Sequence, residues 1–97
     1  MSTGGWVYIM ADRYRGTIYI GVTGDLGRRT WQHREETGSA FVRRYGLKML
    51  VFTERHERID EAIAREKALK KWRRAWKIDL IEIVNPGWND LYETLNA

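Results

Sequence analysis

The chain has 97 residues, 43% hydrophobic and 12% aromatic, which is enough for one packed core and too short for two. It has no cysteine, which excludes disulfides, thiolate chemistry and cysteine-ligated zinc, and no apolar run long enough to span a bilayer. The net charge of +4 favours a polyanionic partner. Met1 to Gly5 lack the basic and then apolar order of a signal peptide. We expect a cytoplasmic protein with no membrane partner and one domain over residues 1–97, its core at about 5–84 and its tail at 85–97.

The first two elements read as a β-hairpin. Trp6–Ala11 and Thr17–Val22 are β-branched and aromatic runs separated by a short loop. Because side chains alternate along a strand, Tyr8 and Tyr19 fall on one face of this hairpin. If the turn centres just after Arg13, Tyr8 lies directly across from Tyr19, and a one-residue shift of the turn breaks that pairing.

Helices and a third strand follow the hairpin. A first helix is predicted over about Leu26–Glu36, capped by Thr23-Gly24-Asp25 and ending before Gly38, and a short helix runs from the Ser39 cap to Tyr45 and ends at Gly46. A strand over Leu47–Glu54 and a long helix from about Ile59 to at least Trp76 come next, and the segment Ile78–Val84 continues this helix or forms another. Asn85-Pro86-Gly87 ends that segment, and an amphipathic tail covers Trp88–Leu95. The order β-β-α-α-β-α with C-terminal helical segments predicts an α+β fold. In it, a small three-stranded antiparallel sheet is flanked by helices.

One face of the first predicted helix carries polar side chains towards the interior. Leu26, Arg29, Thr30 and His33 fall at i, i+3, i+4 and i+7, and Leu26 turns this face towards the sheet. A buried arginine is costly unless it is paired, so the alternative is that the face lines a cleft. Taken alone, His33 is typical of a surface or hydrogen-bonded histidine, and Arg29 of a surface arginine with a packed stem.

A carboxylate interrupts the apolar stripe of the long predicted helix. Glu66 lies within this stripe, where it needs a cation, a metal or hydrogen bonds to stay ionised, and Lys70 at i+4 is the simplest partner. The apolar members, which we expect to include two core tryptophans, are Ile59, Ala62, Ile63, Leu69, Trp72 and Trp76. The basic residues form either a solvated face or a phosphate-binding surface: Lys67, Lys70, Lys71, Arg73, Arg74 and Lys77.

Taken together, these residues resemble the GIY-YIG nuclease superfamily. The two name-giving strands correspond to Trp6-Val7-Tyr8 and Tyr19-Ile20-Gly21, and Gly24 to His33 is similar to the family's helix with arginine and histidine four apart. Residues 62–67, together with Leu69 and Trp72, resemble the helix that carries the family's metal-binding glutamate. The likeness is strongest to small stand-alone bacterial members, which are similar to the amino-terminal nuclease domain of the excision-repair incision subunit.

The resemblance implies a metal-dependent endonuclease that hydrolyses phosphodiester bonds in DNA, in repair or processing. The sequence does not distinguish DNA from RNA as the substrate. The resemblance assigns Glu66 to one divalent cation, Mg²⁺ or Mn²⁺ in its place, Arg29 to the scissile phosphate, and Tyr8 or else Tyr19 to the general base. His33 would relay that proton or bind a phosphate oxygen. A phenol titrates near pH 10, so we expect nearby positive charge to lower the pKa of the base.

Further residues and other functions remain open at this stage. Asn85 and Asn89 are both possible members of the site, and Arg28 joins the helical lysines and arginines as a possible DNA contact. One alternative is a catalytically inactive nucleic-acid-binding module of the same fold. Another is a protein-interaction domain whose tail, Trp88–Leu95, forms a dimer contact, so the expected oligomeric state is a monomer or a weak homodimer.

Overall fold

A three-stranded antiparallel sheet in the order β2-β1-β3 lies at the centre of the computed structural model, which describes residues 4–35 and 39–96. The strands are β1 (Gly5–Ala11), β2 (Ile18–Thr23) and β3 (Met49–His56). The helices are α1 (Leu26–Arg34), α2 (Ala40–Tyr45), α3 (Ile59–Lys70) and α4 (Arg74–Val84), and a 3₁₀ helix spans Leu91–Asn96. The predicted α+β fold is confirmed. The predicted stop of the first helix at Gly38 lies outside the described residues.

The two faces of β1 are covered by different helices. Val7, Ile9 and Ala11 are fully buried in an apolar cluster with residues of α3 and α4. Tyr8 and Met10, which alternate with them, are equally buried on the opposite face, against α1, α2 and the C-terminal 3₁₀ helix. The period-2 pattern of the sequence therefore predicts correctly which residues share a face.

The hairpin register differs from the predicted one. Tyr8 lies opposite Gly21, whereas Tyr19 lies opposite Met10, so the two phenols are diagonal neighbours on one face. Asp12 and Thr17 continue this register beyond the strands, because the Asp12 amide donates to the Thr17 carbonyl at 3.3 Å and the Thr17 amide donates to Asp12 Oδ1 at 2.8 Å. The turn is therefore centred one residue later than the sequence prediction placed it.

The long predicted helix is broken into α3 and α4 at residues 71–73. No glycine or proline marks this break, and tertiary contacts account for it. Trp72 packs against the apolar cluster, and the Arg74 guanidinium donates to the carbonyls of Arg15 and Gly16 in the hairpin loop, at 2.8 and 2.5 Å. As a result Trp76 leaves the predicted stripe and is 50% exposed, so its assignment to the core was wrong. No helix among the described residues is both long and apolar enough to cross a membrane.

The C-terminal tail packs on its own chain. Trp88 is 1% exposed, its backbone adopts a left-handed φ of 54°, and its indole donates to Glu82 Oε2 at 2.7 Å. Arg15 pairs with the same carboxylate, and together these contacts lower the pKa of Glu82 to about 2. Such backbone strain persists only where the surroundings hold the residue in place. This burial removes Trp88 from the dimer contact that the sequence left open.

Candidate active site

The two tyrosines of the hairpin meet on the α1 side of the sheet. Tyr8 is 1% exposed and Tyr19 is half-buried, with their ring centres 6.4 Å apart. The ring of Tyr8 lies over the backbone of β2 at Gly21, where a Cβ atom would collide with the Tyr8 hydroxyl. A glycine at this position therefore allows Tyr8 to reach across the edge strand.

Helix α1 brings Arg29 and His33 to these phenols. Asp25 caps the helix by accepting from the Arg28 amide at 3.2 Å, and the predicted inner face is confirmed because Leu26 and His33 are buried. The Tyr8 hydroxyl and His33 Nε2 lie 2.8 Å apart.

The positive charge of Arg29 does not bring the pKa of Tyr8 below its usual value, contrary to what we expected for a general base at this position. Burial raises the pKa of Tyr8 to about 12, and this outweighs the hydrogen bond from the Arg29 guanidinium, which lowers it. The contact with Tyr8 in turn raises the pKa of Arg29. Tyr8 is therefore a neutral phenol at physiological pH, with its oxygen facing a cation.

His33 is a neutral imidazole in this arrangement. Burial, and then the charge of Arg29, lower the pKa of His33 to about 4. Since Tyr8 keeps its proton, the network assigns its O–H as the donor to His33 Nε2, and the imidazole proton to Nδ1. Nδ1 is the one buried side-chain polar atom without a hydrogen-bond partner in the part of the chain that the structure describes.

Glu66 joins the cluster from α3. Its side chain is 13% exposed, and Oε2 lies 3.1 Å from the Lys70 ammonium, which is the predicted i+4 pair. The ammonium also lies 5.9 Å from the ring centre of Tyr19. The negative charge of Glu66 contributes to raising the pKa of Tyr8, which places the carboxylate on the same side of the molecule as the phenols.

The five residues Tyr8, Tyr19, Arg29, His33 and Glu66 thus form one connected group. Asn85 does not join it: its amide donates to the carbonyls of Val51 and Asn89, and its oxygen accepts from the Asn89 amide. Asn85 therefore ties the loop after α4 to strand β3 with both ends of its side chain, which corrects the suggestion that Asn85 completes the site. Asn89 gives only backbone groups to these bonds and its side chain is exposed, so its place in the site stays a prediction.

The predicted basic surface is divided by the break between α3 and α4. Arg28, Lys67 and Lys71 are exposed and available to a polyanion, and Arg73 is exposed beside the Trp76 ring. The guanidinium of Arg74 already donates to carbonyls of the hairpin loop, so it is less available to a polyanion than the other basic side chains. Lys77 donates to the Lys70 carbonyl at 3.3 Å.

An open depression of about 290 Å³ lies beside Tyr19. Its lining consists of Ile18, Tyr19, Ile20, Phe41, Lys70 and Lys77. The sequence analysis missed Phe41. The available signal was the spacing of α2, since the core position Val42 leaves Phe41 and Tyr45, four residues apart, on another face of the helix.

The carboxylate arrangement suits a hard cation held by few protein ligands. No group of three or more histidine and carboxylate side chains is close enough to hold a metal among residues 4–35 and 39–96. Mg²⁺ does not need such a group, since it keeps several waters and is often held by one or two carboxylates together with substrate phosphates. Glu66, largely buried and already beside one cation, fits that mode of binding.

Comparisons with known proteins place the chain among one set of relatives. The model of the GIY-YIG catalytic domain matches residues 4–79. The UPF0213 protein DP2720 of Desulfotalea psychrophila is 28% identical over 88 residues, which cover 90% of this chain and 80% of the relative. The solution NMR structure of the UPF0213 protein BH0048 of Bacillus halodurans has a TM-score of 0.56 and 28% identity, and the match covers 90% of this chain and 92% of that one.

Proposed function

The chain belongs to the GIY-YIG catalytic-domain family, and from that premise we propose that it is a metal-dependent endonuclease hydrolysing phosphodiester bonds in DNA, in repair or other processing. The observation that carries the proposal is the convergence of two phenols, a guanidinium, an imidazole and a carboxylate from β1, β2, α1 and α3. Polar groups of these types are costly to gather at a core edge, and their chemistry matches the needs of phosphate hydrolysis.

Arg29 is the residue that binds the scissile phosphate. It is half-buried beside Tyr8 and Tyr19, and contacts with both phenols raise its pKa, so it remains a cation at every pH at which the protein is folded. A planar guanidinium can donate two parallel hydrogen bonds to phosphate oxygens. Gln32, which accepts from Arg29 Nη1 at 3.3 Å, helps to orient this fork.

Glu66 is the residue that holds the divalent cation. When bound there, Mg²⁺ would supply neutralisation of the phosphate charge and stabilisation of the leaving oxygen. With the carboxylate engaged by a cation, Lys70, whose side chain is 50% exposed, would be able to contact the phosphate backbone.

The two tyrosines take different roles in this proposal. Tyr19 lines the open depression, so we assign it the contact with the attacking water. Tyr8 is buried and keeps its proton up to about pH 12, so its role is to position Arg29 and His33 through its single hydroxyl. Proton removal from the water is thus assigned to Tyr19, while His33, whose Nε2 accepts from the Tyr8 hydroxyl, holds Tyr8 in place.

The proposal is tested by a matched pair of carboxamide variants on one helix. Glu66→Gln should lower cleavage of plasmid, branched and single-stranded DNA in Mg²⁺ or Mn²⁺ by about 10²-fold or more, because it removes the negative charge that would hold the cation, and with the cation the neutralisation of the phosphate charge. Glu61→Gln is the control, since Glu61 is exposed in the first turn of α3. DNA affinity should be retained in both variants.

The alternative, a nucleic-acid-binding module without chemistry, predicts a different result. In that case the unaltered chain binds DNA but cleaves no substrate in either metal, and Glu66→Gln changes nothing. A crystal soaked in Mn²⁺ gives a second readout, since the proposal expects anomalous density at the Glu66 carboxylate and not at Glu61.

A further inference from the structure

Helix α2 presents two aromatic rings to solvent. Phe41 is 42% exposed and Tyr45 is 47% exposed, and their ring centres lie 4.8 Å apart. The helix is short and capped at both ends, by the Ser39 hydroxyl and by Gly46 in a left-handed conformation, and its single buried residue is Val42. The fold therefore holds these rings in place without burying them.

The exposed rings are continuous with the candidate active site. Phe41 stacks on Tyr19 with ring centres 6.1 Å apart and ring planes 30° apart, and it forms part of the wall of the depression beside Tyr19. The volume of about 290 Å³ is near the lower end of the range for small-molecule sites. A single nucleoside is an occupant of suitable size.

Cations surround the aromatic surface. The Arg44 guanidinium lies 5.6 Å from the Tyr45 ring centre, Arg43 is exposed on the same helix, and Lys70 and Lys77 line the depression. Flat aromatic faces combined with positive charge are the features that bind unpaired bases and their phosphates, because every base offers a π-face once it is unstacked. A duplex hides those faces, so it gains only the electrostatic part of the interaction.

We propose that Phe41 and Tyr45 form a stacking platform for an unpaired base of single-stranded DNA next to the scissile phosphate. Lys77 and Arg44 then contact phosphates on either side of the stacked base. This inference rests on the proposed function for its placement beside the cleaved bond, and it names the substrate class as single-stranded or locally unpaired DNA.

A second exposed aromatic surface lies on α4 and provides the contrast. Trp76 is 50% exposed beside another depression, of about 280 Å³, which is lined by Asp79 together with apolar side chains. Arg73 lies 5.1 Å from the Trp76 ring centre, so this ring also has a cation beside it, but the lining carries the carboxylate of Asp79 where the depression beside Tyr19 has two lysines. Trp76 is therefore a matched control for loss of an exposed ring.

The test measures binding without cleavage. Fluorescence anisotropy is recorded in EDTA with a labelled oligothymidine of about ten nucleotides, within the site sizes of single-strand binders, and with a blunt duplex of equal length. The double variant Phe41→Ala/Tyr45→Ala should lose affinity for the oligothymidine by roughly 5-fold to 150-fold for each base that stacks. Affinity for the duplex should change less than about twofold, and Trp76→Ala should change neither.

Equal losses for both probes, or no loss for the oligothymidine, would overturn the platform. If the alanine variant does not fold, Phe41→Leu/Tyr45→Leu replaces it, because leucine keeps the apolar bulk and lacks the flat ring. Since binding is measured without a divalent ion, the platform is judged even if the chain cleaves nothing. Cleavage with unchanged oligothymidine binding in the variant would refute the platform alone.

Discussion

One face of strand β1 contributes to the apolar core, and the other face carries a residue of the candidate active site. On one face Val7, Ile9 and Ala11 pack in an apolar cluster, where shape and buried area determine the strength of the contact. On the other face the buried Tyr8 meets His33, Arg29 and the charge of Glu66, so its position depends on hydrogen bonds and electrostatics. Tyr8 and Ile9 are thus adjacent in sequence and equally buried, but we expect replacement of Ile9 to lower mainly stability and replacement of Tyr8 to lower mainly activity.

The comparison shows how a small chain can hold a polar site without loosening its fold. The apolar face supplies most of the burial, and the α1 face keeps its polar groups in a network where one atom, His33 Nδ1, is unpaired among the buried side chains described. Such a network contributes little net stability but is costly to leave half-satisfied. We therefore expect stability and activity to separate by face.

The largest expected effect tests this separation directly. Ile9→Ala should lower the free energy of unfolding by about 2–5 kcal/mol, because it opens a cavity at a fully buried position, while cleavage per folded molecule is retained. Tyr8→Phe, one residue away, should cost about 1–3 kcal/mol, because it leaves the buried Nε2 of His33 without its donor and opens no large cavity, yet it should lower cleavage. Urea unfolding and a plasmid assay measure both quantities.

Ile83→Ala is the control for this pair, since Ile83 is 78% exposed and should change stability by less than about 0.5 kcal/mol. The division between faces fails if Tyr8→Phe destabilises the protein as much as Ile9→Ala does. Full activity in Tyr8→Phe would remove Tyr8 from the site.

The next effect is a pH dependence that belongs to the α1 face. The pKa of His33 falls from its usual 6.5 to about 4 in the folded protein, so the unfolded chain takes up this proton first as the pH falls. The stabilisation is complete above pH 6.5 and is lost towards pH 4. Between pH 7 and pH 4.5 this amounts to roughly 2–3 kcal/mol of unfolding free energy.

His33→Gln should reduce the loss of stability between these two pH values by that amount, as measured by urea unfolding. The other histidine of the chain, His56, pairs with Glu54 on β3 and provides the control. If His56→Gln flattens the profile and His33→Gln does not, the acid sensitivity does not come from the candidate site.

The smallest expected effect concerns the ion pair at the edge of the site. Lys70→Met removes the ammonium that competes with a cation for Glu66 and should raise Mn²⁺ affinity by about twofold to fivefold, the value of an exposed pair. Lys67→Met on the same helix should change it less, because the side chains of adjacent helical residues such as Glu66 and Lys67 do not face each other, whereas those four apart do. Calorimetric titration with Mn²⁺ measures both. An unchanged or lower affinity in Lys70→Met would show that the two cations do not share the carboxylate.

Sequence periodicity was sufficient for the faces but not for the long-range contacts. The alternation of β1, the caps at Asp25 and Ser39 and the buried side of α1 depend on neighbours within a few residues, and all were predicted. The hairpin register depends on one side-chain bond from Asp12, and the break before α4 on Arg74 reaching the hairpin loop. Neither contact produces a periodic pattern in the sequence from which it could be predicted.

The candidate site shows the same limit. The family resemblance identified its five residues, but the pKa of Tyr8 came out opposite to expectation because burial, which a single sequence specifies loosely, outweighs the charge of Arg29. Asn85 was misassigned for a related reason. An asparagine after a helix fits a loop clamp or a ligand equally well until its partners Val51 and Asn89 are known.

The absence of a side chain at Gly21 couples positions 8 and 21, so their residues should co-vary among related proteins. Because the phenol of Tyr8 occupies the space that any larger residue at position 21 would need, a descendant that acquires a side chain there must give up the phenol as well. A side chain at position 21 is therefore blocked for as long as Tyr8 is retained. Among related chains, the residue facing the first tyrosine across the hairpin should therefore reveal, without any assay, which lineages have abandoned this arrangement.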